Sequence, residues 1–416
     1  MKFKLHSLVA ALSVAAAFTA APAWAENVKI AFMDPMSGPF GGVGEHFRNV
    51  FEVYAEKANK EKWAGENTFE IVGFDNKGSV QESLILLKTI IDQGYRYLAQ
   101  GNSSAVAMAL VDAINKHNER NPGKEIVLLD YSNSDPDLTN SKCSFWHFQT
   151  ALNLPMKLEA MTTYMAKEKG IKKVYMINQN YSMGQQSSKM IRNYLKNKRP
   201  DIQIVGDDLH PIGVVKDFSP YIAKMKASGA DTIMTNNWGA DYALLVKAAK
   251  DSDLQVNFYT LFSAANGGPL AMGSAWAGRV RSISGWEPNA ASFTGKSVID
   301  TVKARFKDDN HYYYVVDVYN AMMLLASGIK NAKTTDPTKV AMAMEGMKYA
   351  GMNGEPVEMR KMDHQLQSPL WLNEWSKADG KTVRYDQENT GHGWKPIQKI
   401  DAYVASQPSS CQMKRP

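Results

Sequence analysis

The chain has 416 residues, 44% of them hydrophobic, and carries 48 Lys and Arg against 42 Asp and Glu, a formal charge of +6. Charges this evenly matched, with no basic run among them, exclude a nucleic-acid-binding surface. The length exceeds what one hydrophobic core organises, so two lobes are expected.

The first element is a leader. Lys2 and Lys4 precede an apolar run over residues 8–21, and Ala23-Trp24-Ala25 follows. A charged start, a short apolar stretch and small residues at the cleavage positions mark a secretory signal peptide, residues 1–25, cut after Ala25. The run is too short for a membrane anchor, and no Cys stands at the cleavage point to carry a lipid. Cleavage leaves 391 residues of formal charge +4 with no second long apolar stretch. The expectation is a monomer exported to a Gram-negative periplasm, with no membrane insertion and no nucleic-acid partner. Cys143 and Cys411 are its two cysteines. In an oxidising compartment they are expected to form a disulfide.

Next comes an expected strand over 28–33. Phe47, Val50, Phe51, Tyr54 and Ala58 then recur at helical spacing. A strand over 69–74 leads to Ser79-Val80-Gln81-Glu82, a capping box that opens a helix with Leu84, Leu87 and Ile91 on one face. Gly94 ends it. A strand over 97–100, a helix over 105–116 and a strand over 126–130 complete the first run. The second run is helix 156–169, strand 173–178, helix 187–196, strand 202–207, helix 217–228, strand 232–235, helix 242–250 and strand 257–262. Strands separated by helices in this way give right-handed crossovers and a parallel sheet. Helices over 297–306, 315–330 and 338–347 follow, then a polar, hairpin-like tail over 354–375.

No linker separates the two runs, so the chain is expected to cross between lobes near 149–155, 279–287 and 357–365. The fold class is α/β: two doubly wound, Rossmann-like parallel-sheet lobes joined by three hinge crossings. Residues 26–149 and 285–360 are assigned to the first lobe, and 150–284 and 361–416 to the second. Ligands of open α/β sheets bind at the C-terminal strand edge, which makes the cleft between the lobes the expected site.

Several motifs in order along the chain resemble one family. They are residues 30–40 (Ile-Ala-Phe-Met-Asp-Pro-Met-Ser-Gly-Pro-Phe), Gly101-Asn102-Ser103-Ser104-Ala105-Val106-Ala107, Asp135-Pro136-Asp137-Leu138-Thr139, Asn180-Tyr181-Ser182-Met183-Gly184-Gln185, and residues 359–365 (Met-Arg-Lys-Met-Asp-His-Gln). Together they are similar to the leucine/isoleucine/valine-type binding proteins of ABC importers, with the type I periplasmic binding fold. The resemblance implies capture of a small solute, such as an amino acid, amide or related carboxylate, and its delivery to an inner-membrane permease. An aromatic carboxylate is an alternative ligand. A ligand-sensing receptor subunit and a periplasmic enzyme are alternative roles.

Gly101-Asn102-Ser103-Ser104 stands between a strand and a helix, where free N–H groups and hydroxyls make an anion site. By the resemblance, Ser104 aligns with the family's hydroxyl ligand to the amino-acid carboxylate, and Ser103 is its neighbour. Ser132, Asn133 and Ser134 occupy a loop that contacts the ligand in the family. Tyr131 and Asn133 are bulkier than the small residues expected there, which argues against a branched aliphatic ligand. Asp241 aligns with the family's acidic residue for the ligand ammonium group. Tyr181 and Trp238 are candidate aromatic walls, and Asn266 is a candidate donor in a Gly-rich turn. Each also has a structural reading, as a helix cap, a turn or a packing group. No metal-ligand spacing, phosphate-binding loop or nucleophile motif occurs. The chain is therefore expected to need no cofactor and no metal and to catalyse nothing. Asp363-His364 reads as a structural pair at the hinge.

Overall fold

A computed structural model describes residues 25–306 and 311–416. The leader expected at residues 1–25 lies, apart from Ala25, outside the described residues. No helix among the described residues is long and apolar enough to cross a membrane.

The first run folds as β1 (Asn27–Asp34), α1 (Gly41–Lys60), β2 (Thr68–Asp75), α2 (Val80–Asp92), β3 (Tyr97–Gln100), α3 (Ser104–Arg120), β4 (Val127–Asp130) and β5 (His147–Gln149). These strands form one parallel sheet in the order β2-β1-β3-β4-β5. The strand order reverses at β1 and β3, and that reversal opens a crevice at the C-terminal edge. The Ser79 side chain caps α2 by accepting from Glu82 N at 3.3 Å.

The second run is α4 (Leu154–Met165), β6 (Lys173–Gln179), α5 (Ser182–Lys198), β7 (Gln203–His210), α6 (Ser219–Ser228), β8 (Thr232–Thr235), α7 (Gly239–Asp251), β9 (Asn257–Thr260), α8 (Gly268–Met272) and β10 (Val280–Ser284). The rest comprises α9 (Lys296–Arg305), α10 (Val315–Ala332), α11 (Pro337–Met344), β11 (Lys348–Ala350), β12 (Pro356–Met359), β13 (Leu366–Gln367), β14 (Leu370–Lys377), β15 (His392–Ile400) and α12 (Ala402–Ala405). The second sheet has the order β15-β14-β10-β9-β8-β6-β7. Five of its strands are parallel, and β14 and β15 add an antiparallel pair at one edge. The sheet is therefore mixed, not purely parallel as expected. β11, β12 and β13 form a small antiparallel sheet.

Alternation along β6 explains the layering of the second lobe. Val174 and Met176 enter a core with α4 and α5, whereas Tyr175 and Ile177 enter another with α6 and α7. In the first lobe one core joins β1–β5 to residues of α9, α10 and α11, so the three late helices complete that lobe. The chain passes between lobes at Thr150–Asn153, at Gly285–Glu287 and at Ser368–Pro369, between elements that belong to different cores. The stretches that lead to the first and third passages run side by side: Gln149 N donates to His364 O at 2.9 Å.

Beyond α12 the chain returns to the first lobe. Ser409 Oγ donates to Thr139 O at 2.8 Å, Ser410 N donates to Asn140 Oδ1 at 2.9 Å, and Met413 packs against the first core. Cys411 is bonded to Cys143. The tail expected in the second lobe thus stands on the first, because the disulfide and these hydrogen bonds hold it there.

Candidate functional site

The first-lobe wall is organised by Asp34 at the end of β1. Its buried carboxylate accepts from Gly101 N at 3.2 Å, Asn102 N at 2.9 Å and Asn102 Nδ2 at 3.0 Å. Burial pushes the Asp34 carboxyl well above its ordinary range, and these donors oppose the rise. Gly101 has no room for a side chain, since a Cβ there would lie 2.3 Å from the Tyr131 ring. Ser103 follows with φ 78° and makes no capping hydrogen bond. Its hydroxyl and the first N–H groups of α3 are therefore left for another acceptor.

After β4, a buried polar chain braces the next loop. His147 Nε2 lies 3.0 Å from Asp130 Oδ2. Asp130 Oδ1 accepts from Asn133 N at 3.0 Å and from its Nδ2 at 3.1 Å. Asn133 Nδ2 also donates to Gln100 Oε1 at 2.9 Å, which joins the β3 and β4 loops. Across the cleft, Tyr181 precedes α5 and Trp238 precedes α7, and Trp238 Nε1 donates to Tyr181 Oη at 3.1 Å. Phe40 of the first lobe meets Trp238 with ring centroids 4.2 Å apart, a contact worth about 0.5–1.5 kcal/mol.

These walls enclose a cavity of about 70 Å³ between the lobes. Ser103, Ser104, Ser132, Asn133, Ser134, Tyr181 and Trp238 all line it. Residues 27–381 match the family described as periplasmic binding protein. The chain belongs to the periplasmic binding protein family. It is 31% identical to a Leu/Ile/Val-binding protein homolog 4 of Brucella abortus over 98% of this chain and 97% of that one. Among solved structures it is similar to a leucine-, isoleucine-, valine-, threonine- and alanine-binding protein from Brucella ovis in a closed conformation. That match has a TM-score of 0.81 and 29% identity and covers 94% of this chain and 100% of the other. A solute-binding protein of an ABC transporter from R. palustris, in complex with 4-hydroxybenzoate, matches with a TM-score of 0.76 at 22% identity, covering 90% and 97% of the two chains. Another from R. palustris, in complex with benzoate, matches with a TM-score of 0.79 at 18% identity, covering 93% and 99%.

Two expected site residues of this periplasmic binding protein, and also Tyr131, stand away from the cavity wall. Asp241 is buried in the second lobe, where its Oδ2 accepts from Gln179 Nε2 at 2.7 Å and from Gly213 N at 2.9 Å. It holds the loop after β7, and the cavity lining does not include it. Asn266 also stands outside the lining; its backbone N donates to Tyr314 Oη at 2.8 Å across the cleft. Tyr131 turns into the first core, with its ring 4.6 Å from Phe47 and 5.0 Å from Phe51, centroid to centroid. Asp363 and His364 brace the stretch that leads to the third passage: Asp363 accepts from Arg360 Nε at 2.8 Å, and the His364 ring stacks 4.0 Å from that of Phe148.

Sequence reasoning missed Lys157, Phe262, Tyr313, Tyr314 and Asp317, which the fold brings to the cavity. Lys157 lies on α4 just beyond the first passage, and its sequence signal is that of a solvated helical face. Asp317 lies in the first turn of α10, where an acidic residue reads as a favourable dipole partner.

Proposed function

We propose that this periplasmic binding protein is the solute-capturing component of an ABC importer. It holds one small carboxylate-bearing solute between its lobes and delivers it to an inner-membrane permease. The observation that carries this reading is the start of α3 opening on the inter-lobe cavity, with Ser103, Ser104 and Ser134 on its lining. Helix N–H groups and hydroxyls hold a carboxylate without a paired cation. At about 70 Å³ the cavity admits roughly five water-sized groups, which suits an amino acid or a single-ring acid. Periplasmic binding proteins close by hinge motion around such solutes. The expected leader supports export, and the family supports capture.

Six aromatic side chains on the lining, Phe47, Tyr181, Trp238, Phe262, Tyr313 and Tyr314, favour a second reading, a single-ring aromatic carboxylate. The two R. palustris proteins of the same fold are in complex with such acids.

A thermal-shift screen of amino acids, amides and aromatic acids, followed by calorimetric titration, tests the function, because a ligand raises the unfolding temperature by linkage. Ser104→Ala weakens the best ligand by about 1.5–3 kcal/mol if the hydroxyl donates to a carboxylate, or 0.5–1.5 if the acceptor is neutral. A folded variant of unchanged affinity removes the serine from the ligand site.

A further inference from the structure

The cavity contains two charges that the carboxylate reading does not use. Lys157 of α4 and Asp317 of α10 are the charged side chains among its described lining residues. Their neighbours put them on opposite lobes. Met156 and Leu158 belong to a second-lobe core, whereas Val316 and Val318 belong to the first. Lys157 is buried, and its Nζ donates to Ser134 Oγ at 3.3 Å and lies 4.6 Å from the centroid of the Phe262 ring. An ammonium group has three donors, so most of its hydrogen-bonding capacity is unspent. Asp317 has no hydrogen-bond donor among the described residues, and Lys157 is the one charge it senses. Burial pushes the Asp317 carboxyl up to about 7, with Lys157 drawing it back, and burial brings Lys157 down to about 8, with Asp317 opposing.

The two charges feel each other but stand too far apart for an ion pair. Each is desolvated without full compensation, and that costs free energy until a partner arrives. A monoanionic acid would satisfy Lys157 and leave Asp317 either facing a second negative charge or taking up a proton, with no cation in either case. A solute with both an anionic and a cationic group satisfies both. We propose that Lys157 and Asp317 form a cross-lobe charge pair that selects a zwitterionic solute, Lys157 taking its carboxylate and Asp317 its ammonium group.

This assignment rests on the cavity being the ligand site. Lys157 strengthens the serine-lined end through Ser134. The ammonium role that the family resemblance gives to Asp241 passes to Asp317, on the other lobe. The aromatic lining is left to read the side chain. Behind the pair lies a second, polar cavity of about 40 Å³ that shares Lys157, Tyr313 and Asp317 and is lined by residues of all three passages, among them Thr150, Gly285 and Ser368. A solute bridging the pair therefore ties the lobes together beside the hinge, where it favours closure.

Calorimetric titration of the exported protein with two matched pairs tests this. The pairs are leucine against 4-methylpentanoate and phenylalanine against 3-phenylpropanoate; the members of each differ only in the amine. The amine-bearing member is expected to bind at least about tenfold tighter in one pair. Asp317→Asn collapses that ratio toward one, and Lys157→Met weakens both members. Ser104→Ala weakens both members and keeps the ratio. A deaminated acid binding as tightly as its amino acid, or a ratio that survives Asp317→Asn, overturns the assignment. Binding of benzoate without either amino acid overturns it too, but leaves the carboxylate site at α3 standing. No binding of any of these acids overturns both.

Discussion

Ser103 adopts a backbone torsion, φ 78° with ψ 99°, that a residue with a Cβ takes only at a cost. Its neighbours explain why it persists. Asp34 fixes the backbone of Gly101 and Asn102 on one side, and α3 begins immediately on the other. The strain presents the Ser103 hydroxyl to the cavity instead of to its own helix. Ser103→Gly relieves the torsion, so it should raise stability by roughly 1 kcal/mol in chemical denaturation while removing one hydroxyl from the site. A variant no more stable than the parent would mean the turn is not strained.

At the scale of elements, the second passage carries a buried acid. Glu287 accepts from Asn289 N at 2.8 Å, and burial pushes its carboxyl up to about 8, with Arg384 pulling the other way. The folded chain therefore keeps a proton that the unfolded chain releases above about 4.5. Glu287 costs stability progressively as the pH rises from about 4.5 to about 8, and the cost is constant above that. Glu287→Gln lacks this dependence. Relative to the parent, its denaturation midpoint should improve between pH 5 and pH 8, corresponding to a few kcal/mol. Parallel pH profiles for the two proteins would show that Glu287 is ionised in the fold. Counting elements puts the first two passages where they lie, but the third falls at Ser368–Pro369, beyond the expected 357–365, because β12 and β13 stay with the first core. β5, β10 and β15 are not legible as strands: β5 has three residues, too short to show a period, β10 has only Val280 and Ile283 as apolar residues among its five, and β15 lies beyond the stretch read as a hairpin.

For the whole molecule, the tail matters most. The chain leaves the second lobe after α12 and is bonded to the first through Cys143–Cys411, across 268 residues of sequence. Arg360 Nη1 donates to Gln407 O at 2.8 Å, so the returning segment lies against the stretch that leads to the third passage. Closing so long a loop restricts the unfolded chain, and Cys411→Ser should cost about 2–4 kcal/mol in thermal or denaturant unfolding. Mass spectrometry of the unreduced exported protein should find no free thiol. Two free thiols in that sample would show that the bond does not form in the cell.

What the sequence determined by itself is what local periodicity and turn chemistry encode. Most of the helices and parallel strands and the serine turn at 101–104 follow from spacing within a few residues, and the two-lobe division follows from length and the order of elements. The disulfide followed from the number of cysteines and the expected compartment. Only the tertiary structure decided which polar groups face the cavity. Asp241 and Asp317 both stand in the first turn of a helix and look alike in sequence. One is buried under donors from Gln179 and Gly213, and the other opens on the space between the lobes. That difference depends on packing between residues far apart in the chain, as does the meeting of Lys157 with Asp317 from opposite lobes. No local pattern carries it, because a side chain's electrostatic role is set by the neighbours that desolvate it and by those that leave it unpaired.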